Sequence, residues 1–134
     1  MTALVVDGAN VVGARPDGWW RDRPGAAARL AGRLAGVLRA GPAATAAIAP
    51  DVERIVLVLE GAARAAGIDP TDGLEVVLAP ADGDATIVDV AAGLAATGAA
   101  VVVVTADRLL RARVEAVGAH VAGPGVLLRA LDSL

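Results

Sequence analysis

The sequence predicts an α/β fold of three layers, with a central, mainly parallel sheet of about five strands. Two observations predict it. Four apolar runs are continuous rather than alternating, as expected for parallel strands that are covered on both faces. Helical patterns lie between those runs, and strand–helix alternation is typical of a parallel sheet. The length of 134 residues suits a single core, so we expect one domain over residues 1–134.

Each predicted strand is a short run built from valine, leucine, isoleucine and alanine. The four clear runs are Ala3–Val6, Ile55–Leu59, Leu74–Ala79 and Ala100–Val104, and a weaker fifth candidate is Ala119–Ala122. Phe and Tyr are absent from the chain, so the core must be built from aliphatic side chains. Such a core suits strands flanked by helices.

Two of the predicted helices show an apolar stripe at helical spacing. The stripes consist of Leu30, Leu34, Val37 and Leu38 in the first helix, and of Leu110, Val114 and Val117 in the second. Gly41 and Pro42 end the first helix. The Ala/Thr-rich segment that follows predicts a short helix before Pro50.

Composition excludes several classes of protein. An apolar fraction of 56% with a charged fraction of 20% excludes intrinsic disorder. The absence of cysteine excludes a disulfide scaffold, a thiolate zinc site, an iron–sulfur cluster and a cysteine nucleophile. The longest uncharged stretch is split at Thr97 and Gly98, and neither half approaches a membrane span. The N-terminus lacks the basic region of a signal peptide, so we expect a cytoplasmic protein without membrane attachment.

Carboxylates follow all four clear strands. They are Asp7, Glu60, Asp84 and Asp107, with Asp82 two residues before Asp84. In an open parallel sheet, ligands bind outside the carboxyl ends of the strands. Acids that the fold gathers at that edge repel one another unless a cation compensates them, and their oxygen atoms suit Mg²⁺ or Mn²⁺. The sequence therefore predicts a divalent-metal site.

Each of these acids also has an ordinary structural interpretation. Asp84 and Asp107 are placed to cap the helices that follow them. Asp7 precedes a glycine and suits a turn. Glu60 lies four residues before Arg64, the spacing of an ion pair on a helix.

Charge is unevenly distributed along the chain. Residues 8–50 carry six arginines against two acids, and residues 108–134 carry four arginines against two acids. Between them, residues 51–107 carry two arginines against ten acids. Basic ends around an acidic middle fit an acidic metal site with arginine flanks, and a chance distribution over solvated surfaces is the alternative.

Four segments together resemble a known family. The segment VVDGANVVG at residues 5–13 resembles the opening motif of NYN domains, a branch of the PIN-like nuclease superfamily. The segment WWRDR at residues 19–23, followed by an arginine-rich helix, is similar to the YacP-type bacterial subset. The segment DATI at residues 84–87 resembles the third acidic motif, and VVTADRLL at residues 103–110 resembles the fourth.

This resemblance implies a fold, an activity and a set of site residues. It implies a PIN-like, Rossmann-like sheet ordered 3-2-1-4-5, and cleavage of RNA phosphodiester bonds by water that Mg²⁺ or Mn²⁺ activates. Asp7, Asp84 and Asp107 are the implied metal ligands, and Glu60 is a direct or water-mediated partner. Asn10 would orient Asp7 or contact a substrate phosphate.

The chain departs from the family pattern at two positions. Ala85 stands where relatives often have a second acid, and Glu60 replaces an aspartate. Asp82 and Asp89 are nearby acids that could compensate. These departures leave open whether the site binds one ion or two.

Arginine and tryptophan side chains are the expected contacts to single-stranded RNA. We expect Arg108 and Arg111 to lie beside the metal, in the first turn of the helix after Asp107. The other candidates flank the loop after the first strand, and they are Arg15, Arg21, Arg23 and Trp19 with its neighbour Trp20. A tryptophan can stack on unpaired bases or cover the core. The sequence leaves open whether the chain forms a homodimer or binds a ribosome or another RNA-processing partner.

Three other functions compete with this interpretation. The segment GANVVG at residues 8–13 imitates a dinucleotide-binding G-x-G-x-x-G motif. Asn10 replaces its middle glycine and no acid ends a second strand at the required spacing, so we expect no dinucleotide cofactor. The second rival hydrolyses nucleotides or other small phosphoesters at the same site. The third is a weakly catalytic PIN-like module that binds RNA or protein, for which Ala85 and Glu60 would be the supporting features.

Overall fold

The five strands of the computed structural model, which describes residues 1–134, form one parallel sheet. They are β1 (Thr2–Asp7), β2 (Val52–Leu59), β3 (Leu74–Leu78), β4 (Ala100–Val104) and β5 (His120–Ala122). Their order across the sheet is β3-β2-β1-β4-β5. The predicted α/β class and number of strands are confirmed, and so is the strand order that the family resemblance implies.

Helices cover both faces of this sheet. They are α1 (Gly8–Val12), α2 (Arg23–Ala40), α3 (Gly83–Ala96), α4 (Arg108–Ala116) and α5 (Pro124–Asp132). Short 3₁₀ helices span Trp19–Arg21, Pro42–Thr45 and Gly61–Ala66. None of the helices combines the length and the apolar character that crossing a membrane requires.

The central strand β1 shows why the apolar runs are continuous. Side chains of a strand point alternately to its two faces. Leu4 and Val6 pack in one hydrophobic cluster with α2 and α5, whereas Ala3 and Val5 pack in a second cluster with α3 and α4. Both faces of β1 are therefore core from Ala3 to Val6, which is why this run is continuously apolar.

The Ala/Thr-rich segment forms the predicted short helix, as the 3₁₀ helix Pro42–Thr45. The predicted strands are all present, with different bounds at several ends. β2 begins at Val52, three residues before the predicted start. β3 ends at Leu78, one residue before the predicted end, and β5 begins at His120, one residue after the predicted start. α1 was not predicted, because five residues are too few to show a helical period.

Candidate active site at the carboxyl edge of the sheet

Asp7 and Thr105 meet at the carboxyl ends of the neighbouring strands β1 and β4. Both side chains are buried, with 8% of Asp7 and 2% of Thr105 exposed. The Thr105 hydroxyl donates a hydrogen bond of 2.9 Å to Oδ2 of Asp7 and accepts one of 3.1 Å from the backbone N–H of Asp107. One hydroxyl therefore joins the two segments that carry Asp7 and Asp107.

Helix α1 begins directly after Asp7, and a backbone N–H of this helix donates a hydrogen bond to the second carboxylate oxygen of Asp7. Asp7 is the N-cap of α1, and its Oδ1 accepts a hydrogen bond of 3.3 Å from the backbone N–H of Asn10. The side-chain oxygen of Asn10 accepts a hydrogen bond of 2.8 Å from the backbone N–H of Ala106. Asn10 thus contacts Asp7 through its backbone, while its side chain fixes the loop after β4.

Gly8 allows α1 to lie this close to the sheet. A Cβ atom at Gly8 would stand 2.7 Å from the carbonyl oxygen of Val58 and 2.9 Å from a methyl carbon of Leu59. Real Cβ atoms do not approach a backbone oxygen so closely, so only glycine fits without a shift of β2 or α1. The glycine after Asp7 is therefore a packing requirement of the site.

Glu60 connects the end of β2 to the start of α3. Its Oε2 accepts a short hydrogen bond from the backbone N–H of Gly83. The alternative interpretation of Glu60 as the ion-pair partner of Arg64 is wrong. Arg64 instead donates hydrogen bonds to the carbonyl oxygens of Gly61 (3.2 Å) and Ala79 (3.3 Å).

The two predicted helix caps have different outcomes. Asp107 is the N-cap of α4, and its Oδ1 accepts hydrogen bonds from the backbone N–H groups of Leu109 (2.9 Å) and Leu110 (3.1 Å). Asp84 is not a cap, because Asp82 takes that position in α3 and accepts a hydrogen bond of 3.0 Å from the Asp84 N–H. The Asp84 carboxylate lies in the first turn of α3 and accepts no hydrogen bond from the protein.

Burial and mutual repulsion both act on the two most affected acids. Burial raises the pKa of Asp7 above its usual value, the hydrogen bonds from Thr105 and Asn10 oppose this rise, and the charges of Asp84 and Glu60 add to it. Asp84 also has a raised pKa, first because of its partial burial and then because of Asp107, Asp82 and Glu60. The acids at this edge therefore lie within electrostatic reach of one another.

Positive charge does little to compensate this acidic edge. None of its five acids forms an ion pair within 4.0 Å. Arg113 of α4 opposes the rise in the pKa of Asp84, but its effect is smaller than those of burial and of the neighbouring acids. The edge therefore has the electrostatic character of a cation site.

The donor atoms at this edge fit a hard divalent cation. Carboxylate oxygens are the ligands that Mg²⁺ and Mn²⁺ prefer, and a bound cation would offset the repulsion among Asp7, Asp84, Asp107 and Glu60. The side chains as placed do not complete a coordination site, because no three acidic or histidine side chains converge on one point. The chemistry of the donors thus suits a divalent cation, whereas their placement does not bring three of them to one point.

The predicted RNA-contacting arginines differ in the partners that they already have. Arg108 begins α4 and has no acid partner. Arg111 pairs with Glu115 at 3.4 Å, and Arg15 pairs with Asp132 of α5 at 2.6 Å. Arg21 lies with its guanidinium 5.9 Å from the ring centre of Trp20. Two of these four side chains are thus already engaged by carboxylates.

The two tryptophans have different environments. Trp20 is half-exposed, with 50% of its surface accessible, whereas Trp19 is largely covered and lines a cavity that also reaches Glu60. Their rings meet edge to face, with centroids 5.9 Å apart. His120 is exposed on the edge strand β5, away from the core.

Sequence reasoning did not predict the contacts of three residues at this edge. Thr105 positions Asp7, Asp82 caps α3, and Arg113 approaches Asp84. The role of Thr105 could have been predicted from its position in the sequence. Its hydroxyl directly follows a buried strand and precedes an acid by two residues, which places it to form hydrogen bonds with its neighbours. The proximity of Arg113 to Asp84 could not have been predicted in this way, because it depends on how α3 packs against α4.

No protein-family model and no curated protein matches the chain. Its fold is similar to solved structures of Rae1 (YacP) from Bacillus subtilis. One is 20% identical with a TM-score of 0.75, over 99% of this chain and 75% of that chain. Another, of a tryptophan-to-leucine mutant, is 22% identical with a TM-score of 0.74, over 99% of this chain and 76% of that chain. The chain therefore has a YacP-like α/β fold.

Proposed function

We propose that this chain is a metal-dependent ribonuclease of the NYN branch of PIN-like nucleases, acting on single-stranded RNA. One observation carries the proposal. A buried Asp7, held by Thr105, lies within electrostatic reach of Glu60 and Asp84 at the carboxyl edge of the sheet, and none of the three has an ion-pair partner. The motif resemblance and the YacP-like fold support the same function.

Asp7, Asp84 and Asp107 would hold Mg²⁺ or Mn²⁺, with Glu60 as a direct or water-mediated partner. Such an ion, when bound, lowers the pKa of its water and neutralises charge that develops on the scissile phosphate. The protein's part is orientation. Thr105 and the Asn10 backbone fix both oxygens of Asp7, and two amides of α4 hold one oxygen of Asp107 and leave the other free.

Arg108 is the arginine best placed to bind a substrate phosphate. It follows Asp107 directly, it begins α4, and no carboxylate lies within ion-pair distance of it. A free guanidinium can donate two parallel hydrogen bonds to a phosphate. Arg15 and Arg111 would first have to leave Asp132 and Glu115, so we assign them secondary roles.

Cleavage of a labelled single-stranded RNA by the purified protein tests this proposal. We expect cleavage with Mn²⁺ or Mg²⁺, none with EDTA, and loss of cleavage in Asp7→Asn. The matched control is Asp69→Asn, which neutralises an exposed acid in the loop before β3. Hydrolysis of a nucleoside triphosphate beside intact RNA would replace the proposal with a small-phosphoester hydrolase. Turnover of neither substrate would contradict catalysis and favour a binding module.

A further inference from the structure

A cavity of about 340 Å³ opens beside the acidic edge. Seven of its eleven lining residues are hydrophobic. Ala9 and Val12 of α1 form one side, Ala63 of the 3₁₀ helix after β2 forms another, and Trp19 and Arg23 complete the wall. This volume lies at the lower end of the range of small-molecule pockets, so it suits one ring system rather than a helix or a strand.

The aromatic wall of this cavity is held in place by its neighbours. Trp20 meets the Trp19 ring at 87°, and the Arg23 guanidinium lies 5.4 Å from the centre of that ring. No carboxylate lies within 4.0 Å of Arg23. An aromatic surface and an uncompensated cation therefore line the same cavity.

The cavity and the acidic edge share two residues. Gly8, the residue after Asp7, and Glu60 both line the cavity. Glu60 also lies within electrostatic reach of Asp7 and Asp84. A ligand in the cavity that carries a phosphate chain would therefore present that chain to the carboxylates.

We propose that this cavity binds one unpaired nucleobase of the RNA, stacked on Trp19, with Arg23 on the adjoining phosphate. The inference rests on the proposed function and names the part of the substrate that the cavity recognises. Bases stack on aromatic side chains with little sequence preference, since every base has a π-face. The free charge of Arg23 matches a ring linked to a phosphate better than the apolar side chain of a protein partner.

Tryptophan fluorescence tests the cavity without any catalysis. Trp20→Phe leaves Trp19 as the only tryptophan, and Trp19→Phe leaves only Trp20. Each variant is titrated in EDTA with a short oligoadenylate and with an abasic ribose-phosphate chain of the same length. We expect saturable quenching only for Trp19 and only with the oligoadenylate. Equal quenching by the abasic chain, or quenching of Trp20 alone, would overturn the proposal.

Filling the cavity provides a second, independent test. Ala63→Leu places a larger side chain in the cavity wall, and Ala62→Leu makes the same change at an exposed neighbour that does not line it. We expect Ala63→Leu to weaken oligoadenylate binding by about 5- to 150-fold, the range that loss of one stacked base corresponds to. Ala62→Leu should bind like the unmodified protein, and circular dichroism checks that both variants fold.

The two tests separate this inference from the proposed function. Quenching of Trp19 without cleavage of RNA in Mn²⁺ would support the cavity and contradict the nuclease. Metal-dependent cleavage with unchanged binding by Ala63→Leu and no quenching of Trp19 would support the nuclease and overturn the cavity.

Discussion

The Thr105 hydroxyl lies 2.9 Å from Oδ2 of Asp7 and joins the ends of β4 and β1 inside the protein. A carboxylate with only 8% of its surface exposed needs such a donor, because burying a charge without hydrogen bonds is costly. The bond also determines which way the carboxylate points. Asp7 can therefore be both buried and directed to the acidic edge.

Removing this hydrogen bond should reduce both stability and activity. Thr105→Val keeps the side-chain shape but leaves one oxygen of Asp7 and the Asp107 amide without their partner. We expect a loss of about 1.5–3 kcal/mol in the free energy of unfolding at neutral pH, the usual range for a bond to a charged group. Urea denaturation measures it, and the RNA cleavage rate should fall in parallel.

Thr97→Val is the matched control for this substitution. The Thr97 hydroxyl donates a 2.6 Å bond to the carbonyl oxygen of Leu94 at the end of α3, where no carboxylate is involved. Cleavage by this variant should equal that of the unmodified protein. Equal rates for both threonine variants would show that Thr105 does not position Asp7.

The negative charge of Asp7 should be required for cleavage, but it should lower the stability of the folded protein. Burial raises the Asp7 pKa, so the folded protein favours the protonated form. The stability that protonated Asp7 contributes is fully present below the pKa that Asp7 has in the unfolded chain. It is lost as pH rises through the pKa that Asp7 has in the folded protein. Without metal, Asp7→Asn should therefore gain stability relative to the unmodified protein as pH rises through the Asp7 pKa, while it abolishes cleavage. Urea midpoints across pH measure this, with Asp69→Asn as the control. A stability difference between Asp7→Asn and the unmodified protein that does not change with pH would contradict this account.

The ion pairs of Arg15 and Arg33 with Asp132, at the end of α5, should add stability that is lost in acid. Hydrogen bonds from Arg15 and Arg33 lower the pKa of Asp132 to about 2. Because the pKa of Asp132 is lower in the folded protein than in the unfolded chain, its charge contributes stability at pH values above the pKa of the unfolded chain. This contribution is lost as pH falls through the pKa of the folded protein. Asp132→Asn should therefore be less stable than the unmodified protein near neutral pH, with the difference closing between about pH 4 and pH 2.

Urea midpoints across that pH range measure this effect. Asp72→Asn, which changes an exposed acid without an ion-pair partner, is the control. A difference between Asp132→Asn and the unmodified protein that is independent of pH would exclude the ion pairs as its cause.

The close contact at Gly8 predicts opposite effects for two glycine substitutions. Gly8→Ala would place a Cβ atom 2.7 Å from the Val58 carbonyl oxygen, so β2 or α1 must shift. We expect a loss of about 1–3 kcal/mol in the free energy of unfolding, typical of overpacking. Gly93 lies in α3 with open space around it, and Gly93→Ala should instead gain about 0.5–1 kcal/mol. A neutral Gly8→Ala in thermal denaturation would contradict the close approach.

The sheet could be predicted because its signals are local. The buried strand β1 carries apolar residues on both faces, so the run from Ala3 to Val6 is continuous and ends where Asp7 reaches the edge. Since parallel strands expose their carboxyl ends together, the positions of Glu60 and Asp107 near this edge followed from the strand predictions alone.

The side-chain partners at the site could not be predicted, because they depend on packing. Asp82 and Asp84 are two residues apart, and only the start of α3 determines that Asp82 caps and Asp84 stays free. Likewise, Glu60 bonds to the Gly83 amide because α3 begins beside the end of β2, a relation between distant segments. The family roles of these residues stay predictions.

The central claim is that the acids at the carboxyl edge bind a divalent ion together. Mn²⁺ binding, followed by electron paramagnetic resonance of the free ion, tests it most directly on the unmodified protein, Asp7→Asn, Asp107→Asn and the control Asp69→Asn. We expect saturable binding that both site variants lose and the control keeps. An unchanged Mn²⁺ affinity in Asp7→Asn and Asp107→Asn would contradict the claim.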